Sequence, residues 1–254
     1  MGDLTTQIRS SLQAQSLPLP SQTWLAPLIT ARTPPPPLQS LLATAKARLL
    51  AADLTSPCLL DVSTPALPPD LSNVNIKEIK LPRDVVVQVL DVENLSRSRW
   101  EQVEELEAIE RGEQTRGRQI VRLPVRSEGD EGDTDLGAEE ATQAPTGAVP
   151  GLAAGASNVP VKPKNATHRL TLQDWRGQRV YGIELKPVDR VAVGITNIGE
   201  KVLLRAGSVV ARGSILLQPA TCLILGGKVE AWQRAWVEGR MARLKESVGA
   251  DRPV

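Results

Sequence analysis

Apolar and polar residues alternate along Arg83–Asn94, where Val85, Val87 and Val89 fall on one side. A period of two residues is typical of a β-strand with one buried face. The same kind of pattern predicts four further strands at Thr167–Asp174, Arg179–Leu185, Glu200–Arg205 and Ser208–Leu217. The second and third predicted strands form a hairpin, because Asp174-Trp175-Arg176-Gly177 between them supplies turn residues.

Glycines interrupt two of the predicted strands. At Gly182 we expect a β-bulge that bends the strand at a corner, and Gly213 offers a second place to bend. Five short strands with such bends close more readily into a barrel than into a flat sheet, whose open edges would pair with other chains. The fold class is therefore predicted as mixed α and β, centred on a five-stranded barrel of the OB type.

Helical spacing dominates the chain before the barrel. Leu4, Ile8 and Leu12 recur along a predicted helix at Asp3–Gln15. A second helix extends to Arg32, with Trp24, Leu28 and Leu25 as the inward candidates, and a third covers Pro37–Asp53. The predicted domains are a three-helix bundle at 1–55, a connector at 56–82, the barrel at 83–224, and a C-terminal helix (Lys228 to about Ser247) with its tail at 225–254.

One long insertion, at about 95–165, separates the first predicted strand from the second. It begins with a helix candidate, Ser98–Glu110, in which Trp100 stands among glutamates, and continues with an apolar and basic segment. From 127 to 159 almost every residue is Gly, Ala, Pro, Thr or acidic, so we expect disorder in the free protein. A loop of this length is functional or a linker. The predicted partner-binding residues are Trp100, Arg118, Ile120, Val121 and Leu123.

Composition narrows the function classes. The chain has 254 residues with a net charge of +1, so its overall charge does not steer it towards nucleic acid. Two cysteines and one histidine are too few for most Cys/His metal sites, and we predict free thiols, no metal and no cofactor. Without a signal-like N-terminus or an apolar run of membrane-spanning length, we expect a soluble intracellular protein with no membrane contact.

No set of residues predicts catalysis. His168 stands at the start of a strand, and no Ser or Cys motif resembles a nucleophile elbow. Asp174, Glu184 and Asp189 could meet around a metal ion, but acids at a barrel rim are more often solvated or paired. An enzyme is therefore the weakest hypothesis.

Binding of single-stranded DNA is a stronger hypothesis, because OB barrels commonly combine basic grooves with aromatic side chains on which bases stack. The candidates are Trp175, Tyr181, Arg176 and Arg179. A structural alternative stays open, in which Trp175 packs on a neighbouring loop and Tyr181 on the C-terminal helix. The remaining hypothesis is a scaffold that docks on another protein and extends the insertion into it.

The segments around the barrel resemble the OB domain of the RecQ-mediated genome instability protein 1 family. The motifs that carry the resemblance are Gly182, Ile183, Glu184 and Pro187, then Gly199, Lys201, Val202 and Leu203, then Leu216–Val229. The N-terminal helical segment also fits, so the resemblance covers Met1 to about Leu95 and Asn165 to about Gly249. The insertion has no residue-level match.

The resemblance implies a non-catalytic nuclear subunit that binds topoisomerase III, a type IA enzyme, and works with a RecQ-family helicase. Together they would dissolve double Holliday junctions, and the insertion would enter the topoisomerase gate and favour decatenation. DNA would be met mainly through the complex. Because the chain stops at Val254, it resembles the short fungal form, and contacts made by a second OB domain are not carried over.

Overall fold

The computed structural model describes residues 2–113 and 166–249. Its N-terminal part consists of helices α1 (Gly2–Ala14), α2 (Gln22–Thr30) and α3 (Leu38–Ala51), which share one hydrophobic core. The predicted bundle is confirmed, with one correction inside α2. Leu25 and Ile29 are the buried residues of this helix, whereas Trp24 and Leu28 are only partly buried.

The strands form one curled sheet, a half-barrel of the OB type. They are β1 (Ile79–Lys80), β2 (Val85–Asn94), β3 (His168–Gln173), β4 (Arg179–Glu184), β5 (Lys201–Leu204), β6 (Val209–Ala211), β7 (Ser214–Leu217) and β8 (Cys222–Gly226). Their order is β1-β6-β7-β4-β3-β2-β5-β8, and every pair is antiparallel except β4–β7. A short 3-10 helix, Pro69–Ser72, precedes β1.

The prediction of five strands was too low, because the sheet has eight. The predicted strand Ser208–Leu217 is a hairpin of β6 and β7, which turns at Arg212 and Gly213 with φ of 49° and 81°. Positive φ at both residues matches the twist of a tight hairpin turn. β1 and β8 were missed, since the first is only two residues long and the second, CLILG, shows no alternation.

The register shifts of the sheet lie between β2 and β3 and between β5 and β8, and not at Gly182. The register between β2 and β3 shifts between Val89 and Asp91, whereas Gly182 pairs regularly with Leu170. Gly182 instead allows close packing inside the barrel, because a Cβ atom there would lie 3.0 Å from Leu172 Cδ1 and 3.1 Å from a Leu217 side-chain atom. A glycine in a strand thus marks a close approach here, the other common meaning of that signal.

Two hydrophobic cores meet on β2 and β5. Val85, Val87 and Val89 point into the barrel core, whereas Val86 and its pairing partner Leu203 belong to the core of the helical bundle. The bundle therefore covers the outer face of the sheet at this end. This placement leaves the outer faces of β3 and β4 as the accessible part of the central sheet.

The predicted single C-terminal helix consists of two helices, α5 (Glu230–Glu238) and α6 (Arg240–Val248), separated at Gly239. Trp232 and Trp236 pack against the barrel core. Across residues 2–113 and 166–249, we find no helix with the length and apolar character needed to cross a membrane.

Candidate functional site

The insertion starts from an anchored helix, α4 (Arg99–Glu110). Ser98 caps it, because its Oγ accepts a hydrogen bond from Glu101 N at 3.1 Å while the Glu101 carboxylate accepts one from Ser98 N at 2.7 Å. Val103 is buried, and the Gln102 amide donates to the carbonyl oxygens of Asn94 and Arg97. The base of the insertion is therefore fixed to the sheet.

Helix α4 also packs against α6, and the two are joined by an ion pair of 3.0 Å between Lys245 and Glu107. Trp100, at the first turn of α4, remains 52% exposed. The surface around it is acidic, since Glu101, Glu104 and Glu105 line the same shallow depression. An exposed tryptophan in acidic surroundings is thus presented where the insertion leaves the fold.

The other four residues predicted in the insertion lie outside the described residues. Arg118, Ile120, Val121 and Leu123 fall within 114–165. Their proposed contacts with a partner stay predictions.

Trp175 at the tip of the β3–β4 hairpin is tied to the connector. Its indole Nε1 donates to the carbonyl oxygen of Thr64 at 3.1 Å, and its ring packs against the bundle core. The guanidinium of Arg176 covers the ring at 5.0 Å. Buried Asp174 holds the tip by accepting from Arg176 N and Gln178 N. The structure therefore places Trp175 as the structural alternative expected it, on a neighbouring loop.

Tyr181 behaves differently, because its side chain is 48% exposed on the outer face of β4. The guanidinium of Arg169 lies over its ring at 4.9 Å, and Arg169 also donates from Nε to Glu93 at 3.0 Å. The alternative that Tyr181 packs on the C-terminal helix is not supported, because the ring is half exposed and its contact is with Arg169 of β3. Arg179 is exposed two residues before Tyr181, on the same face of the strand.

A groove that the sequence did not reveal lies between the outer end of β2, the first turn of α4 and helices α5 and α6. Its volume is about 420 Å³. Its charged residues are Asp91, Glu93, Arg97, Arg99, Arg169, Arg240 and Arg243, and Trp236 forms part of its wall. These arginines come from three separate segments of the chain, so no local sequence motif could have indicated the cluster.

Of the residues considered for catalysis, His168 and Glu184 form a buried structural pair. Glu184 accepts hydrogen bonds from His168 Nδ1 at 2.7 Å, from His168 N and from Val188 N, and both side chains are buried. Burial, together with the Glu184 carboxylate, raises the pKa of the Cys222 thiol to about 12, so its nucleophilic thiolate is scarce at neutral pH. Within the described parts of the chain no group of His, Cys, Asp and Glu has the arrangement to hold a metal ion.

Comparison with known proteins agrees with this architecture. A family model described as "RMI1, N-terminal OB-fold domain" matches residues 67–240, which is more than half of the chain. This chain belongs to the RMI1 family. A second model, "RMI1, N-terminal helical domain", matches residues 12–57 of this RMI1-family chain.

A curated relative supports the same assignment. The RecQ-mediated genome instability protein 1 of Schizosaccharomyces pombe is 28% identical over 194 residues, which are 76% of this chain and 74% of that protein. The RMI1 OB-fold match extends across the insertion, α4 and α5. In this RMI1-family chain the insertion is therefore an internal part of the matched OB-fold region.

Proposed function

We propose that this chain is a non-catalytic genome-stability subunit of a nuclear RecQ-helicase complex, in which it binds topoisomerase III. In this role it promotes decatenation and the dissolution of double Holliday junctions. Membership of the RMI1 family and the name of the fission-yeast relative support the RecQ pathway. Three parts of the proposal rest on the sequence resemblance: the topoisomerase as the partner, the action at its gate and the nuclear location.

The observation that carries the proposal is the position of the insertion. It leaves the OB sheet between β2 and β3 and starts from α4, a capped helix that presents the exposed Trp100. A subunit that changes the populations of an open and a closed gate must contact the two states differently. A long segment on a fixed base is suited to such contacts, because the base sets its direction while the segment reaches the partner.

A non-catalytic role agrees with the chemistry of the fold. His168 and Glu184 satisfy each other in the barrel, and the pKa of Cys222 is far above neutral pH. In the proposed complex the covalent chemistry belongs to the topoisomerase.

Co-purification tests the partner. The full chain and topoisomerase III from the same organism are mixed at physiological salt and separated by size-exclusion chromatography. We expect a one-to-one complex that survives the column. Two separate peaks at micromolar concentrations of both proteins would overturn the proposal.

A deletion tests the role of the insertion. The variant lacks residues 114–163 and keeps α4, because Val103 and the contacts with α6 belong to the folded part. A Gly/Ser linker of about 12 residues spans roughly 20 Å on average, which is comparable with the length of α4. We expect topoisomerase binding to persist while decatenation falls at least several-fold.

The matched control replaces the same residues by a Gly/Ser segment of equal length. If this control decatenates like the wild type, decatenation depends on the length of the replaced segment and not on its sequence. Unchanged decatenation by the short-linker variant would contradict a role of residues 114–163 at the gate.

Single-stranded DNA binding through the outer face of the sheet is the second candidate. The observation that favours it is the exposed ring of Tyr181 beside Arg169 and Arg179. Titration of the free chain with a labelled oligonucleotide tests this function, and the absence of binding at low salt would exclude it.

A further inference from the structure

We propose that the groove between β2, α4 and α5–α6 binds the phosphate groups of a single-stranded nucleic acid. We call it the arginine groove, and define it by Arg97, Arg99, Arg169, Arg240 and Arg243. The inference rests on the second candidate function and deepens it, because it assigns the phosphates of the strand to a groove beside the exposed face of β4.

Positive charge predominates in the arginine groove. Its five arginines face two carboxylates, and each carboxylate already has a partner. Asp91 Oδ1 accepts from the indole Nε1 of Trp236 at 2.6 Å, and Glu93 accepts from Arg169 Nε at 3.0 Å. Outside the groove lining, Glu105 holds Arg97 through an ion pair of 2.6 Å. Each guanidinium carries five N–H donors, so arginines with one partner keep donors for a bound anion.

The wall of the groove has features that suit bases as well as phosphates. Trp236 is half-buried, with Arg240 and Arg243 both 5.7 Å from its ring centre. Arg169 forms part of the groove and also covers the exposed ring of Tyr181 at 4.9 Å. The basic surface therefore continues from the groove onto the outer face of β4, where a base can stack on Tyr181.

The combination of arginines with the aromatic rings of Trp236 and Tyr181 favours single-stranded nucleic acid over other anions. Arginine forks bind phosphate oxygens in pairs, and non-specific single-strand sites join a basic track to aromatic platforms. An acidic peptide would use the arginines and leave the aromatic faces without a role.

The test compares two double variants of the full chain. Arg240→Gln with Arg243→Gln removes two charges from the groove. Arg32→Gln with Arg234→Gln removes two charges from exposed arginines outside it. Binding of labelled oligo-dT is measured by fluorescence anisotropy over a series of salt concentrations, with a polyglutamate peptide as a second probe. Circular dichroism confirms that both variants are folded.

We expect oligo-dT affinity to fall at least about ten-fold in the groove variant and less than two-fold in the control, in line with charged hydrogen bonds of ordinary strength. The slope of log K against log salt should become shallower by about 1.4, since each phosphate contact on a single strand contributes roughly 0.7. Equal losses in both variants would show general charge attraction and overturn the proposal. Equally tight binding of polyglutamate, lost in the groove variant, would assign the groove to an acidic protein instead.

The oligo-dT titration and the co-purification with topoisomerase III test the arginine groove and the subunit role separately. A chain that binds topoisomerase III but not oligo-dT keeps the subunit role and loses the arginine groove. A chain that binds oligo-dT through the groove but forms no topoisomerase complex has the opposite outcome.

Discussion

The buried ammonium of Lys201 donates a hydrogen bond of 2.6 Å to the carbonyl oxygen of Ala52, directly after α3. It donates a second bond, also of 2.6 Å, to the carbonyl oxygen of Gly199. Gln88 on the neighbouring strand donates to Asp53 at 2.7 Å. Polar side chains of β2 and β5 thus fix the end of α3 against the barrel, beside the contact of the two hydrophobic cores.

Replacement of Lys201 by Met should destabilise the chain at neutral pH, because it leaves two buried carbonyl oxygens without their donor. The cost is about 1–3 kcal/mol for each unsatisfied group. Urea unfolding followed by circular dichroism measures the loss, with exposed Lys77→Met as the control. A free energy of unfolding equal to that of the control would show that the two carbonyls find other donors.

The same residue makes a pH-dependent contribution. Burial lowers the pKa of Lys201 from 10.5 to about 8, although the nearby Asp53 charge raises it in part. Below about pH 8 the folded and unfolded states both hold the proton. Between about 8 and 10.5 the folded state releases it first, so Lys201 adds stability as pH rises, about 3 kcal/mol at most. The advantage of wild type over Lys201→Met should therefore grow across this window, and a constant difference would contradict the shift.

Two adjacent glycines provide a matched test of the junction between barrel and bundle. Gly226 and Gly227 have φ of 91° and 88°, so alanine is strained at either position. A Cβ atom at Gly227 would lie 2.4 Å from the carbonyl oxygen of Leu50 in α3, whereas one at Gly226 would meet nothing within 4 Å. We expect Gly226→Ala to cost about 1–2 kcal/mol through backbone strain alone.

Gly227→Ala should cost at least about 2 kcal/mol more, because α3 must move away from the sheet. Thermal unfolding of the two variants measures this difference in stability. The comparison is matched, because both variants replace a glycine of positive φ by alanine. Equal melting temperatures would show that α3 tolerates the displacement without loss of packing.

The sequence predicted the elements whose signal is local. The helices α1 to α4 and the strands β2 to β5 each have a pattern of apolar residues within one segment, and the composition of the insertion sets it apart from them. Gly182 shows where a local sequence signal is not sufficient to predict the structure. A glycine in a strand indicates either a bulge or a close approach, and only the position of Leu172 and Leu217 decides between them.

The surfaces were harder to predict because they depend on distant segments. Trp175 and Tyr181 are both aromatic residues of the β3–β4 hairpin with arginines nearby in the sequence. In the structure, Trp175 donates a hydrogen bond to Thr64 of the connector, whereas Tyr181 stays exposed. The arginine groove combines β2, β3, the start of α4 and the C-terminal helices. Its residues become neighbours only through the sheet order and the packing of α6 on α4.

Alanine substitutions should separate the roles of these two aromatic residues. Trp175→Ala removes a ring packed on the bundle and its bond to Thr64, so we expect a loss of about 2–4 kcal/mol in the free energy of unfolding. Tyr181→Ala should change stability by less than about 1 kcal/mol, because the ring is half exposed.

Oligo-dT titration of the same two variants then tests the DNA function. If bases stack on Tyr181, its removal weakens binding by about 1–3 kcal/mol, while folded Trp175→Ala protein binds nearly as well as wild type. Unchanged binding by Tyr181→Ala would exclude the outer face of β4 as a stacking surface.

The exposed Trp100 of α4 is the predicted partner contact that can be tested without disturbing the fold. Its side chain is 52% exposed, and the helix is held by its cap, by buried Val103 and by Lys245, so Trp100→Ala should leave stability within about 0.5 kcal/mol. If Trp100 contacts the topoisomerase, decatenation by the complex should fall several-fold, since exposed tryptophans often dominate binding energy at interfaces. Leu185→Ala, at a residue 56% exposed outside α4, is the control. Equal decatenation by the two variants would exclude α4 from the functional contact and leave only the remainder of the insertion.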